Sequence, residues 1–502
     1  MRLVSTPVRD FLKVAVPYFQ SEQRWHALSL LASVVVVELA LVYLFVLNNE
    51  WNVLFYNSLQ DRDWNAFIWS LVVFLGLATS MVVLGVAQYY LGQSLIIRWR
   101  EWMTRRYLEN WLAQGRLYRV QFVSPAVDNI HLRIASDVHL FIQYTLELGT
   151  GLLSSILTLA SFVVILWGLS SLTPLIAFGV DVSIPGYLVW IALLYAVLGT
   201  LVAHLIGRPL IALDFNQQRR EADFRFAIAR VADHAEPIAM MGGEAVERAT
   251  LISRFGALVA NWKQLVLRQS RLTTFATSYG QASTVFPVLV ASPAYFLGAL
   301  SLGVLMQTVS AFQRVEGAFA FFIGTYGKVA EWKALIDRLT QFEAALDTLA
   351  AQSDAITVVG DGDGRLQTTE LVLNHPSGAL LTKVPALSLT PGERLLITGA
   401  SGSGKSSLLR ALRGLWPFGS GSVTRPQCVV AIPQRPYFPL GTLKAAIAYP
   451  VPDSEFDDDA VRSVMDVVGL DHLAERLHEE ADWRVELSGG EQQRAAMAGA
   501  LL

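Results

Sequence analysis

Residues 391–415 read PGERLLITGASGSGKSSLLRALRGL, and this stretch decides the fold of the C-terminal part of the chain. Its Gly399-Ala-Ser-Gly-Ser-Gly404-Lys405-Ser406 satisfies the pattern G-x-x-x-x-G-K-[ST] in full. The flanking residues predict a buried strand over Arg394–Thr398 and an apolar-periodic helix directly after the loop. That is the context in which the pattern cradles phosphate. Gly399, Gly402 and Gly404 let the backbone turn tightly and aim its N–H groups inward as an anion nest. The helix behind presents its N-terminus to the phosphates. Lys405 supplies a mobile point charge for the β- and γ-phosphates, and the Ser406 hydroxyl is placed to ligate Mg²⁺. Ala400, Ser401, Ser403 and Ser407 complete the candidate nucleotide site.

Working outward, two later stretches narrow the kind of phosphate-loop domain. Gln434, in VVAIPQRPYFPLGTL, is expected just after a short apolar strand. Residues 487–494 read LSGGEQQR, with a helix-like continuation. Ser488, Gly489, Gly490 and Glu491 stand at its helix start, where backbone donors suit a γ-phosphate. Upstream, residues 341–365 form a polar, Asp- and Gly-containing linker before a β-rich stretch.

The N-terminal part is of another kind. Hydrophobic residues make up 53% of the 502-residue chain and charged residues only 16%, too apolar for an ordinary soluble protein. A bilayer core of roughly 30 Å needs about 20 mostly apolar residues per helix. Six stretches qualify: 27–47, 67–91, 146–168, 184–206, 276–298 and 302–326. The second connection carries seven arginines from Arg98 to Arg133, and the fourth carries ten Arg and Lys from Arg208 to Arg271. The first connection has Arg62 among three acids, the third only Asp181, and the fifth no charge. The excess of cations on the inner loops places both termini in the cytoplasm. The start, residues 1–26, lacks the pattern of a removable signal peptide. Its Phe11, Val14, Val16 and Phe19 predict an amphipathic segment resting on the membrane.

Charges inside an apolar span cost about 2.5–3.5 kcal/mol each at the centre of a lipid-facing helix. Glu147, Arg314 and Glu316 are therefore expected to face a wet solute pathway, with Glu38 and His204 weaker candidates. The net charge of −3, without a basic-aromatic stripe, excludes a nucleic-acid partner. The single cysteine, Cys428, excludes an intrachain disulfide framework.

The phosphate loop, Gln434 and LSGGEQQR together resemble the ATPase of ABC transporters: Walker A at 399–406, the Q-loop at Gln434 and the signature at 487–494. The resemblance implies ATP and Mg²⁺ as cofactors, with Ser406 and Gln434 near the metal. It implies a site shared between two chains, and hence a second half-transporter, a homodimer or a close heterodimer. His375, in LVLNHPSG, takes the place where the family usually stacks Tyr on adenine. The membrane half resembles the SbmA/BacA-like subgroup, including its YddA-type half-transporters, which is related to peroxisomal fatty-acyl ABC transporters. The segments carrying this are PYFQSEQRWHA, NVLFYNSLQDRDWNAF, IRWREWMTRRYLENWL, EADFRF and FPVLVASPAYFLGALSLGVLMQTVSAF. Residues 127–138, VDNIHLRIASDV, resemble the family pattern DNPDQRI-x-x-D and keep Asp128, Arg133 and Asp137. Residues 235–247, AEPIAMMGGEAVE, resemble its EAA-like motif, with Glu236, Gly243 and Glu244 in place. These imply coupling between nucleotide and membrane domains.

The fold expected is thus a six-helix, all-α membrane domain of the type IV, exporter-like class over 27–340, followed by an α/β P-loop domain over 366–502. The resemblance implies ATP-driven transport of a large hydrophilic or amphipathic solute, a peptide or a cobalamin-like molecule, by import across the bacterial inner membrane. The residues themselves fix neither solute nor direction. Among 395–502 no Asp-Glu strand end or switch His follows the signature, and Gly499 stands where the family usually has Arg. A C-terminally truncated, hydrolysis-deficient domain is the expectation. The competing readings are a proton-coupled carrier with a vestigial nucleotide domain, and a non-transporting remnant.

Overall fold

The computed structural model describes residues 5–123, 129–172, 175–177, 180–182, 184–351, 355–361 and 364–502. The chain divides into two compact units, Met1–Ala113 with Ser124–Asp347, and Gln114–Val123 with Thr348–Leu502.

The first unit is helical. It contains α1 (Ser5–Phe19), α2 (Arg24–Gln60) and α3 (Trp64–Leu112). After α4 (Arg116–Val123), which belongs to the other unit, come the single turn α5 (Ile130–Leu132), a π-helical turn at Arg133–Asp137, and α6 (Val138–Leu172). A two-stranded antiparallel pair, β1 (Leu175–Ala177) and β2 (Val180–Val182), precedes α7 (Tyr187–Asp233). Then follow α8 (Ala235–Met241), α9 (Glu244–Phe296), α10 (Leu302–Gly324) and α11 (Tyr326–Ala351).

The stretches 27–47, 67–91 and 146–168 fall within α2, α3 and α6, and the other three lie mainly on α7, α9 and α10. Among the described residues, four helical stretches, Arg24–Gln60, Trp64–Leu112, Ile130–Ser171 and Tyr187–Asp233, are long and apolar enough to cross a membrane. At about 1.5 Å per residue, the 49 residues of α3 span about 74 Å, far beyond a bilayer core. The sharp reversal between α2 and α3 is fixed by Asp63, whose carboxylate accepts from the N–H groups of Asn65 and Ala66 at 2.9 and 3.1 Å. The core of the bundle joins Phe162 and Leu166 of α6, Leu188 of α7 and Phe312 of α10. Helices α7 and α9 are clamped by Tyr195 and Tyr279: each hydroxyl donates to the other's backbone carbonyl at 2.8 Å, with rings stacked 4.4 Å apart.

One side of α1 packs on protein: Val14, Ala15 and Tyr18 are buried, Tyr18 stacks on Trp99 of α3, and Phe11 contacts Phe141 and Trp332, while Val8 and Leu12 stay exposed. The expected linker is also partly helical, since α11 runs to Ala351 with Phe342, Ala345 and Leu346 buried at core spacing.

The second unit opens with β3 (Ile356–Asp361), β4 (Leu366–Thr368), β5 (Leu371–Asn374), β6 (Leu380–Val384) and β7 (Leu387–Leu389). After α12 (Lys405–Arg413) comes β8 (Gly419–Pro426), which sits inside the sheet order β6-β5-β8-β4-β7 and also pairs with β3 in parallel. Its core holds Ile356, Leu371, Leu373, Leu408, Trp416 and Val423. A separate helical cluster follows: β9 (Gly441–Thr442), α13 (Leu443–Ala448), α14 (Asp458–Val467), β10 (Glu480–Ala481), α15 (Trp483–Glu486) and α16 (Gly489–Leu501). Trp483 is fully buried at its centre and donates its indole N–H to Gly441 O at 3.0 Å.

The strands expected at Arg394–Thr398 and just before Gln434 are not formed. A strand is held by ladder partners on its neighbours, and no described strand pairs with either segment. Leu395 and Leu396 are therefore exposed, as are Val430 and Ile432, while Ile397 alone packs on the domain core.

Candidate functional site

The phosphate loop adopts the nest its glycines allow. Gly402 and Gly404 take φ of +83° and +91°, a region costly for any residue with a Cβ. At Gly404 a Cβ would also come within 3.0 Å of Thr382. Gly404 caps α12, so the N–H groups of Lys405, Ser406 and Ser407 have no intrahelical acceptor, and the first helical bond is Leu408 N to Gly404 O at 2.9 Å. Lys405 Nζ donates to the carbonyls of Gly399 and Ala400, both at 2.7 Å, which holds the cation over the loop mouth. Ser406 is exposed beside it, whereas Ser407 is buried and faces the domain interior. Ala400, Ser401 and Ser403 lie exposed along the loop. Open amides, a helix N-terminus and one mobile ammonium fit a nucleotide's phosphates, and the Ser406 hydroxyl fits a hard cation bridging them.

His375 sits in the turn between β5 and β6, with its Nδ1 3.0 Å from Ser377 Oγ and its ring exposed. Gln434 is exposed in a bend. Among the described residues no hydrogen bond joins either of them, or the signature, to the phosphate loop.

The signature begins α16 with a reciprocal cap. Ser488 Oγ accepts from Glu491 N at 3.4 Å, and Glu491 Oε2 accepts from Ser488 N at 2.8 Å and from Ser488 Oγ at 2.6 Å. His472 Nε2 lies 3.0 Å from the other Glu491 oxygen. Donation by the Ser488 hydroxyl, then by its N–H, then by His472, holds the Glu491 carboxyl down to about 2. Gly489 and Gly490 have open space where a Cβ would stand. Gly499, which departs from the family's Arg, has a structural cause: a Cβ there would come within 2.2 Å of Ile447 O on α13.

Sequence reading missed α4. Residues of this short helix pack on the nucleotide unit: Arg119 donates to Gly414 O at 2.6 Å, at the end of α12, and Phe122 meets Trp416 and Phe418. Only its aromatic spacing, Tyr118 to Phe122, could have signalled it.

Of the expected coupling residues, Asp128 lies outside the described residues. Arg133 and Asp137 are both buried in the π-helical turn and both reach Arg338 of α11, Arg133 by donating to its carbonyl at 2.6 Å. Glu236 is exposed on α8, Gly243 caps α9, and Glu244 is exposed in its first turn. The tip they form also exposes Met240 and Met241.

The three expected pathway residues part company. Glu316 lines a cavity of about 470 Å³ between α7, α9 and α10, together with Thr200, His204, Arg208 and Tyr279. Ser283 Oγ donates to it at 3.4 Å. Arg314 instead lies over the Phe45 ring of α2, 4.0 Å from its centroid, and Glu147 is paired with Lys328. Glu38 is buried and accepts from Gln88 of α3, a contact between neighbouring helices.

The sequence matches the family described as ABC transporter transmembrane region 2 over residues 11–296, and that described as ABC transporter over residues 383–502. An uncharacterized ABC transporter ATP-binding protein of Haemophilus influenzae is 34% identical over 470 residues, 93% of this chain and 78% of the relative. The inner membrane ABC transporter ATP-binding protein YddA of Escherichia coli is 31% identical over 500 residues, 99% of this chain and 88% of the relative. The lysosomal cobalamin transporter ABCD4 of Homo sapiens is 26% identical over 534 residues, covering 97% of this chain and 84% of the relative. With a helical membrane region joined in one chain to a phosphate loop and signature, this protein belongs to the ABC transporter family, in the half-transporter group that includes YddA and the D-family members.

Proposed function

We propose that the chain is one half of a dimeric importer in the bacterial inner membrane, driving a large hydrophilic or amphipathic solute across it with ATP. The observation that carries this is the preformed phosphate nest at Gly399–Ser407 in the same chain as a largely apolar cavity between long apolar helices that also presents His204, Arg208 and Glu316. Six spans with both termini cytoplasmic follow from the arginine asymmetry of the connections. ATP binds at Lys405 and the α12 N-terminus with Mg²⁺ at Ser406 and Gln434, and His375 lies against the adenine. Ser488, Gly489 and Gly490 of a second copy close over the γ-phosphate, as the shared site of the family implies. Asp128, Arg133, Asp137, Glu236, Gly243 and Glu244 relay movement to the membrane helices, and Glu316 lines the solute path, with Arg314 and Glu147 supporting the helices around it. The human relative's name, lysosomal cobalamin transporter, agrees with a large hydrophilic cargo.

The test is uptake of radiolabelled cobalamin and of a proline-rich peptide into proteoliposomes, with ATP on the cytoplasmic face. Nucleotide binding is measured in parallel, with Lys405→Ala as the comparison. Uptake by Lys405→Ala at the wild-type rate, driven by a pH gradient alone, would replace this reading with a proton-coupled carrier.

A further inference from the structure

Ser488 is set against the γ-phosphate of a second copy in the function proposed above, yet its hydroxyl is already engaged. Its Oγ lies 2.6 Å from Glu491 Oε2 and accepts from Glu491 N at 3.4 Å. The Glu491 carboxyl, held down to about 2, is ionised near neutral pH and can only accept. The hydrogen in the Ser488–Glu491 bond is therefore the one Ser488 owns. A terminal phosphate oxygen also only accepts, so Ser488 as folded would offer it lone pairs and no hydrogen. Glu491 and the γ-phosphate compete for one hydroxyl hydrogen.

His472 meets the other oxygen of that carboxylate, with Nε2 3.0 Å from Glu491 Oε1. Its Nε2 carries the hydrogen, because ionised Glu491 has none to give. The imidazole stands on the turn Asp471–Arg476, which is anchored by Leu470, Leu473 and Leu477 in the apolar cluster that also holds Ala495 and Ala498 of α16. Neighbouring cations are engaged elsewhere: Arg476 with Glu479 and Glu486, and Arg484 with Asp482. Each donor to a carboxylate stabilises its charge and lessens its pull on the next donor. We propose that Glu491 latches the signature serine, and that His472 is a positioning residue that sets the strength of this latch. Without nucleotide the Ser488 hydroxyl stays turned to Glu491. When a γ-phosphate arrives the hydroxyl turns to it, while His472 and the Ser488 N–H keep Glu491 on the helix cap. The latch presupposes the shared site proposed above and sets the ATP concentration at which two copies close.

The experiment follows Förster transfer between copies of the full chain in detergent as Mg-ATP is added. The labels sit on Val467→Cys, an exposed position of α14, in a Cys428→Ser background. Glu491→Gln, a weaker acceptor, should close at several-fold less ATP than wild type. His472→Ala leaves Ser488 more tightly held and should need several-fold more. The double variant should behave as Glu491→Gln, since His472 acts only through the carboxylate. Two merely structural contacts would instead shift both single variants the same way. ADP has no γ-phosphate, so its affinity reads the phosphate loop alone and reports an intact fold. If His472→Ala does not bind ADP, His472→Phe, which keeps a ring and removes the donor, decides. Single variants that shift in the same direction, or a His472 variant that closes like wild type, overturn the latch. Transfer that ATP never changes in the wild type, with ADP still bound, overturns the shared site and the latch with it.

Discussion

Arg338 of α11 grips Asp137 with two parallel hydrogen bonds, Nε to Oδ2 at 2.7 Å and Nη2 to Oδ1 at 3.0 Å. Arg133, four residues before Asp137, donates to the Arg338 backbone carbonyl, so one residue of α11 is held by side chain and main chain together. Asp137 is buried but Arg338 is nearly half exposed, so losing one partner of this charge-assisted pair costs about 1 kcal/mol after solvent screening. Asp137→Asn and Arg338→Lys should both lower the thermal midpoint in detergent, because neither restores the two-bond geometry. A midpoint unchanged in Arg338→Lys would show that the fork is dispensable.

Glu491 gives the signature helix a pH dependence. Its folded carboxyl is depressed from an ordinary 4.5 to about 2. The stability it contributes is therefore full above about pH 4.5 and is lost as pH falls toward 2. Glu491→Gln removes this component. The advantage of wild type over Glu491→Gln, read by thermal unfolding, should shrink between pH 5 and pH 3; a constant difference refutes the assignment.

Close packing at Gly499 predicts a directional effect. Gly499→Ala should destabilise the helical cluster by about 1–3 kcal/mol, since α13 backbone must move. Gly490→Ala, with open space around it, should cost far less. Equal midpoints for the two would remove the steric argument.

The separation of Arg314 from Glu316 is testable by function. Glu316→Gln should change the KM for solute uptake with the fold intact. Arg314→Ala should mainly lower stability, by about 0.5–2 kcal/mol for a cation over an aromatic face. Wild-type uptake kinetics in Glu316→Gln would take the 470 Å³ cavity out of the solute path.

Topology is checked in a Cys428→Ser background. Asp181→Cys should react with an impermeant thiol reagent from outside, and Arg225→Cys only after permeabilisation. The reverse pattern would invert the orientation.

The sequence by itself determined the elements whose signal is local. An unbroken apolar run of 20 residues reads as helix wherever it packs, and α2, α3, α6 and α7 cover the first four such runs. The phosphate loop was legible because its glycines and Lys405 fix a conformation within eight residues, and the Ser488–Glu491 cap because both partners lie within one turn. Tertiary structure decided whatever depended on partners distant in sequence. Arg394–Thr398 has the composition of a buried strand, but a strand exists only through its ladder neighbours. Arg314, Glu316 and Glu147 look alike as charges within spans. Only the packing of α2, α10 and α11 gave one an aromatic face, one a cavity wall and one a lysine. The same holds for α1, whose apolar stripe suits a membrane surface or a protein groove equally. Trp99, Phe141 and Trp332, some 80 to 320 residues away in the sequence, supply the groove in which one side of it packs.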